Sequence, residues 1–253
     1  MIIAQISDTH IAADHPKGPE REDHLRRCVA AINRLDPLPD VVVHTGDLTH
    51  RAKPEEFDRA LAILDELKPP FHLVAGNRDE RDAMRSVLGA RLTADWPFVQ
   101  YANEDHAVRL IILDSLSGTS NKGDFCTRRL DHLEALLARE PEKPVALFFH
   151  HPPFDVMAAK DPFQYESREN VARLAEVLDQ GGQEIRIFCG HSHRLARGQV
   201  GRVEVTTLPS VAVDLRLGDY PLEQQGRPLF QLHRHSPGAG FTTTTHAVAD
   251  GRS

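Results

Sequence analysis

The feature that most limits what this chain can become is a recurring pairing of letters. Six short apolar runs each lead into polar residues: "IIAQIS" (2–7), "VVVHT" (41–45), "FHLVA" (71–75), "RLIILD" (109–114), "VALFFH" (145–150) and "IRIFCG" (185–190). They are rich in β-branched and aromatic residues and bounded by Gly, Pro or Asp, so each predicts a buried strand. Helical spacing fills the intervals. Leu25, Val29, Ile32 and Leu35 form one stripe, and Phe57, Leu61, Leu64 and Leu67 form another behind Pro54 in a favoured first-turn position. Leu130, Leu133 and Leu137 make a third stripe, and Val171, Leu174 and Leu178 a fourth. Strands alternating with helices predict an α/β domain. After Gly190 the pattern changes. "LARGQV", "VEVTTL" and "SVAVDL" read as successive strands without a helix between them, a β-meander. Residues 1–216 therefore read as one domain. Residues 217–253 are too short for a core of their own and read as an appendage, with "LFQLHRH" and "FTTTTHAVA" as two late strands.

Composition narrows the function classes. The net charge of -7 argues against sequence-blind nucleic-acid binding and against docking on anionic membranes. The three cysteines are far apart and form no C-x-x-C pair, so buried free thiols in a reducing compartment are expected. "MIIAQISDTH" has neither the basic start nor the long apolar run of a secretory signal. No stretch approaches the roughly 20 apolar residues of a membrane span. The expectation is a cytoplasmic protein. Fifteen histidines stand out, because several sit beside Asp, Asn or another His.

Those histidines collect where the strands end, which is where ligands gather in α/β sheets. The first strand runs into Asp8 and His10, the second into Asp47, and the third into Asn77. The fifth runs into His150 and His151, and the sixth into His191 and His193. Each piece alone is an ordinary turn or strand exit. Together they would bring Asp, Asn and His to one edge. Imidazole and carboxylate without thiolate suit zinc, iron or manganese. Seven candidate ligands exceed the needs of one ion but fit two, about 3.5–4 Å apart and sharing a carboxylate. Such a pair activates a bridging water as hydroxide for in-line attack on phosphorus. His15, His24, His44, His50, His72, His106 and His132 read as surface or packing residues, with His44 and His50 flanking the metal loop.

In order, the chain carries "DTH", "GD", "GNRD", "HHPP" and "GHSH", and it has "DSLSGTSNKGDF" at 114–125. This set resembles the calcineurin-like metallophosphoesterase superfamily, within it the bacterial class III cyclic nucleotide phosphodiesterases and their glycerophosphodiesterase relatives. The likeness runs from residue 1 to about residue 215. It implies a four-layer α/β/β/α sandwich of two mixed sheets. It also implies two divalent transition metal ions (Mn, Fe or Zn). One would be held by Asp8, His10 and His193, the other by Asn77, His150 and His191, with Asp47 bridging. His151 then becomes a pocket residue that helps bind substrate, alongside Asn77 and Arg78.

The activity implied is hydrolysis of a small phosphodiester, cyclic nucleotide or glycerophosphodiester-like. The rivals are a phosphomonoesterase or phosphonate monoester hydrolase, a non-catalytic scaffold, and a nuclease, which the acidic charge disfavours. Self-association through the late segment is also expected. Two letters depart from the pattern. The resemblance places a histidine after Asn77, where this chain has Arg78, and another four residues after the late Leu-Pro, where it has Val213. Guanidinium keeps its proton, so Arg78 cannot be a general acid, but its fork of donors suits a phosphate oxygen. Three outcomes stay open: Arg78 clamps phosphate; it turns outward to pair with Asp79, Glu80 or Asp82; or the site binds metal without turnover.

Overall fold

The computed structural model of the protein describes residues 1–89, 92 and 96–249. In chain order the elements are β1 (Ile2–Ile6), α1 (Gly18–Ile32), β2 (Val41–His44), α2 (Pro54–Leu64), β3 (Phe71–Leu73), α3 (Arg81–Leu88), β4 (Tyr101–Asn103) and β5 (Arg109–Ile112). They continue as α4 (Thr127–Arg139), β6 (Val145–Phe148), α5 (Arg168–Asp179), β7 (Ile185–Cys189), β8 (Ala196–Val200), β9 (Val203–Thr207), β10 (Leu229–Ser236) and β11 (Gly240–Ala247). They build two mixed sheets, ordered β11-β10-β1-β2-β3 and β4-β5-β6-β7-β9-β8. β1, β2 and β3 pair in parallel, as do β5, β6, β7 and β9. The antiparallel strands β4, β8, β10 and β11 sit to the sides.

Period-two alternation separates the core into three apolar layers. Ala4, Ile6 and Val42 face α1 and α2 and meet Leu25, Val29, Ile32, Phe57, Ile63 and Leu64. Their neighbours Ile3, Val41 and Val43 face the other way, onto Leu110, Ile112, Ala146, Phe148 and Phe188 of the second sheet. Ile111, Leu147, Ile187 and Val205 face α4 and α5, against Leu130, Leu133, Leu174 and Leu178. The expected four-layer α/β/β/α sandwich is the architecture observed. The helix starts follow local chemistry. α2 opens with Pro54 while the Glu56 carboxylate accepts from the Arg51 and Lys53 amides at 2.8 and 3.4 Å. Ser167 caps α5 by accepting from the Glu169 amide at 3.1 Å.

One expected strand does not form, and two features emerge only in the fold. "SVAVDL" is no strand: Val213–Leu215 form a 3-10 turn. The segment lies beside the loop after β1, where the Val211 amide donates to Ser7 O at 3.0 Å and Ser210 Oγ to Asp8 O at 2.7 Å. These contacts hold the segment down without building a ladder. β4, a three-residue strand, carries too little alternation to announce itself. The late strands set apart in the 217–253 appendage complete the first sheet, β10 pairing with β1 and β11 with β10; residues 250–253 lie outside those described.

One buried charge cluster ties the second sheet to α3 and α4. The fully buried Asp114 carboxylate accepts from Arg81 Nε at 2.8 Å and Nη2 at 3.0 Å and from the Val99 and Leu116 amides, each at 2.9 Å. Arg129, nearly fully buried, lies 3.5 Å from the same carboxylate. Arg129 keeps Asp124 at 2.8 Å, but loss of the Asp114 carboxylate leaves the Val99 and Leu116 amides and most of the Arg81 fork without their acceptor. Asp114→Ala is expected to cost about 3–5 kcal/mol of stability, read by denaturant unfolding of the variant against the parent.

Candidate metal centre

Parallel strands of both sheets deliver their C-terminal ends to one edge, and the chain turns sharply as it leaves them. Five of the six non-glycine residues with positive φ among those described are Asp8 (55°), His10 (45°), Asp47 (53°), His191 (64°) and His193 (52°). Left-handed backbone is tolerated by Asp and His but still costs about 1–3 kcal/mol each where function holds it. All five are candidate ligands. Gly46 (φ 97°) and Gly76 let the loops after β2 and β3 touch: a Cβ on Gly76 would lie 2.0 Å from the Asp47 amide nitrogen.

The donor atoms converge in two sets. In the first, His10 Nε2 lies 3.2 Å from His193 Nε2, 3.5 Å from Asp47 Oδ2 and 4.0 Å from Asp8 Oδ1. His193 Nε2 lies 3.2 Å from the same Asp8 oxygen. In the second, Asn77 Oδ1 lies 2.9 Å from His191 Nδ1 and 3.2 Å from His150 Nε2. His150 Nε2 is in turn 3.3 Å from His191 Nδ1 and 3.5 Å from Asp47 Oδ1. Asp47 thus gives one oxygen to each set.

Hydrogen bonds on the far side of the rings fix their orientation. His150 Nδ1 donates to Thr45 O at 2.8 Å, His193 Nδ1 to Leu215 O at 3.0 Å and His191 Nε2 to Gln164 Oε1 at 2.8 Å. With one nitrogen committed as donor, a neutral ring presents a lone pair to the cluster from the other. Lone pairs and carboxylate oxygens packed at about 3 Å repel one another unless a positive charge sits among them. Tetrahedral coordination at about 2.0–2.1 Å produces ligand separations of this size. The residues therefore fit two small cations, one per set.

The same carboxylates favour positive charge on two of the rings. Burial works against charge on His150, yet the Asp47 and Asp8 carboxylates outweigh it and raise its pKa to about 9. Burial likewise opposes charge on His193, but Asp8 and Asp47 raise it. Burial holds His10 down at about 4, and burial with the nearby His150 charge holds His191 at about 3. Asp8 sinks to about 2: burial pushes it up, and the histidine charges of His193 and His150 pull it further down. Each set holds one favoured proton site.

His151 does not reach the cleft. It is fully buried, with Nδ1 at 2.9 Å from Ser115 Oγ and Nε2 at 3.1 Å from Asn121 O. Both nitrogens are committed, so the expected substrate contact is corrected to a support beneath the His191 ring, 4.4 Å away between centroids. His44, buried, meets Thr9 Oγ1 at 3.0 Å and belongs to the loop scaffold. Asp79 stitches the two loops together, accepting from the Leu48 amide at 3.1 Å, the Thr49 amide at 2.9 Å and the Gly76 amide at 3.1 Å. The cleft itself, about 260 Å³, is lined by His50, Arg78, Asn121 and Leu215 together with ligand candidates. Gln164 and Asn121 escaped sequence reasoning, since neither lies at a strand end.

Arg78 settles into none of the carboxylate pairings open in the sequence. Its amide donates to Asp47 Oδ1 at 2.7 Å, while its side chain is exposed on the cleft. Asp79 is occupied by backbone amides, and among the described residues the guanidinium takes no protein partner.

Residues 1–195 match the family model for calcineurin-like phosphoesterases. The chain belongs to that family. A protein of Enterobacter lignolyticus named glycerophosphodiester phosphodiesterase GpdQ is 34% identical over 217 residues, 83% of this chain and 77% of its own length. An Arcobacter nitrofigilis protein named probable glycerophosphodiester phosphodiesterase GpdQ is 32% identical over 263 aligned positions, covering 98% of this chain and 93% of its own. The 3',5'-cyclic adenosine monophosphate phosphodiesterase CpdA of Pseudomonas aeruginosa is 25% identical, covering 94% and 87%. Among solved structures, yellow lupin purple acid phosphatase PPD1 aligns over 99% of this chain and 52% of that one, with a TM-score of 0.65 at 12% identity, a likeness of fold.

Two outcomes follow from the cluster. Cation binding near pH 7 displaces the proton on His150, so roughly one proton leaves per chain, His193 adds to this as pH falls, and affinity falls as pH drops below about 9. Calorimetry in buffers of different ionisation enthalpy counts them. Gln164→Leu removes the acceptor that orients His191, and metal affinity is expected to fall about 10–100-fold, measured by chelator competition.

Proposed function

We propose that the chain is a binuclear metal-dependent phosphodiesterase acting on small molecules, with cyclic nucleotides and glycerophosphodiesters as the first substrates to try. The observation that carries this is Asp47, whose two oxygens serve two separate donor sets. Asp8, His10, Asp47 and His193 would hold one ion, and Asp47, Asn77, His150 and His191 the other. Manganese, iron and zinc all suit this donor chemistry. Ions bound there supply positive charge for phosphoryl oxygens and make water acidic enough to act as a nucleophile near neutral pH.

The chain's own residues do the rest. Asn77 lines the cleft, and its side-chain NH2 would orient the phosphate. Arg78 offers a fork of donors to a non-bridging oxygen and stabilises charge as it builds there. Because guanidinium gives up no proton, departure of the alcohol leans on its own stability as an anion. Seven converging donors count against a scaffold role, which would not need them. The small cleft favours a second reading, a phosphomonoesterase or phosphonate monoester hydrolase. The net charge of -7 speaks against a nucleic-acid substrate. The unpaired thiols of Cys28, Cys126 and Cys189 suit the cytoplasm, and no helix among the described residues is long and apolar enough to cross a membrane. Self-association would use β11, the outer strand of the first sheet.

Reconstitution with manganese, zinc or iron is expected to load about two ions per chain, counted by elemental analysis. A hydrolysis panel of cyclic nucleotides, glycerophosphodiesters and aryl mono- and diesters then separates the readings; activity on monoesters alone would favour the second. Arg78→Ala is expected to lower kcat/KM on diesters about ten-fold, the scale of one charged hydrogen bond at an exposed site. Arg78→His should recover rate mainly on diesters with poor leaving groups. Unchanged rates in Arg78→Ala would remove Arg78 from the substrate.

A further inference from the structure

One loop beside the cleft is held far more firmly than a surface loop needs to be. Residues 116–123 leave the second sheet and return through a bridge between Leu116 and Gly123. A single carboxylate oxygen, Glu166 Oε1, accepts from Ser117 Oγ at 2.8 Å, Thr119 Oγ1 at 3.2 Å and Ser120 Oγ at 2.5 Å. Hydroxyl donors gathered on one ionised acceptor are strong hydrogen bonds, and they hold the Glu166 pKa below its ordinary value. The backbone is tied as well. The Gly123 amide donates to Gln164 O at 2.7 Å and the Glu166 amide to Gly123 O at 2.9 Å. From inside, His151 Nε2 donates to Asn121 O at 3.1 Å.

All these bonds leave one side chain over. Asn121 lines the cleft, as does Arg78, and is exposed. Among the described residues its carboxamide takes no hydrogen-bond partner. Gln164, whose backbone fixes this loop, is also the residue whose side chain orients His191. The loop is therefore registered against the metal centre through the same short segment. A carboxamide differs from a guanidinium in offering an acceptor as well as donors. It matches a hydroxyl, which also does both, and is poorly matched to bare alkyl carbon.

We propose that Asn121, held in place by Glu166, reads a hydroxyl on one alcohol arm of a phosphodiester substrate while Arg78 holds the phosphate. Asn121 is the specificity residue and Glu166 its positioning residue. The proposal rests on the phosphodiesterase reading above and adds to it the polarity of the ester arm. Glu166 lies outside both donor sets, so loss of its carboxylate acts through the loop.

The test uses the manganese-loaded full chain and two diesters with the same 4-nitrophenyl leaving group, one carrying a 3-hydroxypropyl arm and the other a propyl arm. The parent protein is expected to favour the hydroxylated diester about three- to ten-fold in kcat/KM, the worth of one neutral hydrogen bond, with most of the difference in KM. Asn121→Leu and Asn121→Ala should bring the ratio to about one, and Glu166→Ala should lower it with metal content unchanged. Calorimetric Kd values for 3-hydroxypropylphosphonate and propylphosphonate should show the same preference and the same loss. A parent ratio near one, or a ratio that survives in both Asn121 variants, overturns the proposal and leaves the phosphodiesterase reading standing. Failure of the loaded parent to hydrolyse either diester overturns both.

Discussion

The carboxylate of Asp47 is the constraint on which the rest of this molecule turns. Its oxygens point to different donor sets, and it also accepts the Arg78 amide. Asp8, His10, Asp47 and Asn77 come from the first sheet, whereas His150, His191 and His193 come from the second. The cluster therefore bridges the inter-sheet seam. His150 makes the same crossing on its other side, through Thr45 O. Buried carboxylates, facing lone pairs and left-handed backbone are each unfavourable by themselves. Bound cations would offset all three at once, because a ligand that binds only the folded state stabilises it by mass action. The carboxylates' pull toward positive charge on His150 and His193 points the same way.

Much of the site was legible in the letters because strands enforce direction. When a parallel strand ends, its next residues must lie at one edge of the sheet, so Asp8, Asp47, Asn77, His150 and His191 stand out as candidates by their joint position. The layered core was legible for a similar reason, since alternating apolar residues leave little choice of facing partner. The supporting residues were not. Gln164, Glu166 and Asn121 belong to coil without periodicity, and only the fold reveals which way their side chains turn. "SVAVDL" alternates like a strand, yet Ser7 and Asp8 engage its backbone before it can extend into a ladder. His150 and His151 are adjacent identical letters. What separates them is the company of their nitrogens: one faces Asn77 and Asp47, the other Ser115 and Asn121.

The same division explains how Arg78 stands where the family resemblance placed a histidine. The contact that this position makes with the metal centre is made by its amide, which any residue except proline supplies. Asp79 then fixes the loop through further backbone amides. Side chain 78 is thus free of the work of holding Asp47 and stays exposed on the cleft. Asn121 is in a like situation in the same cleft, its carbonyl committed to His151 and its carboxamide uncommitted. The loops are held by main-chain groups and by buried or ionised acceptors, while the two side chains left over face solvent in the cleft. On the proposed reading, a chain built this way can exchange the letters that face substrate and keep the geometry around Asp47. Arg78, on that reading, bears on which ester is cleaved more than on whether one is.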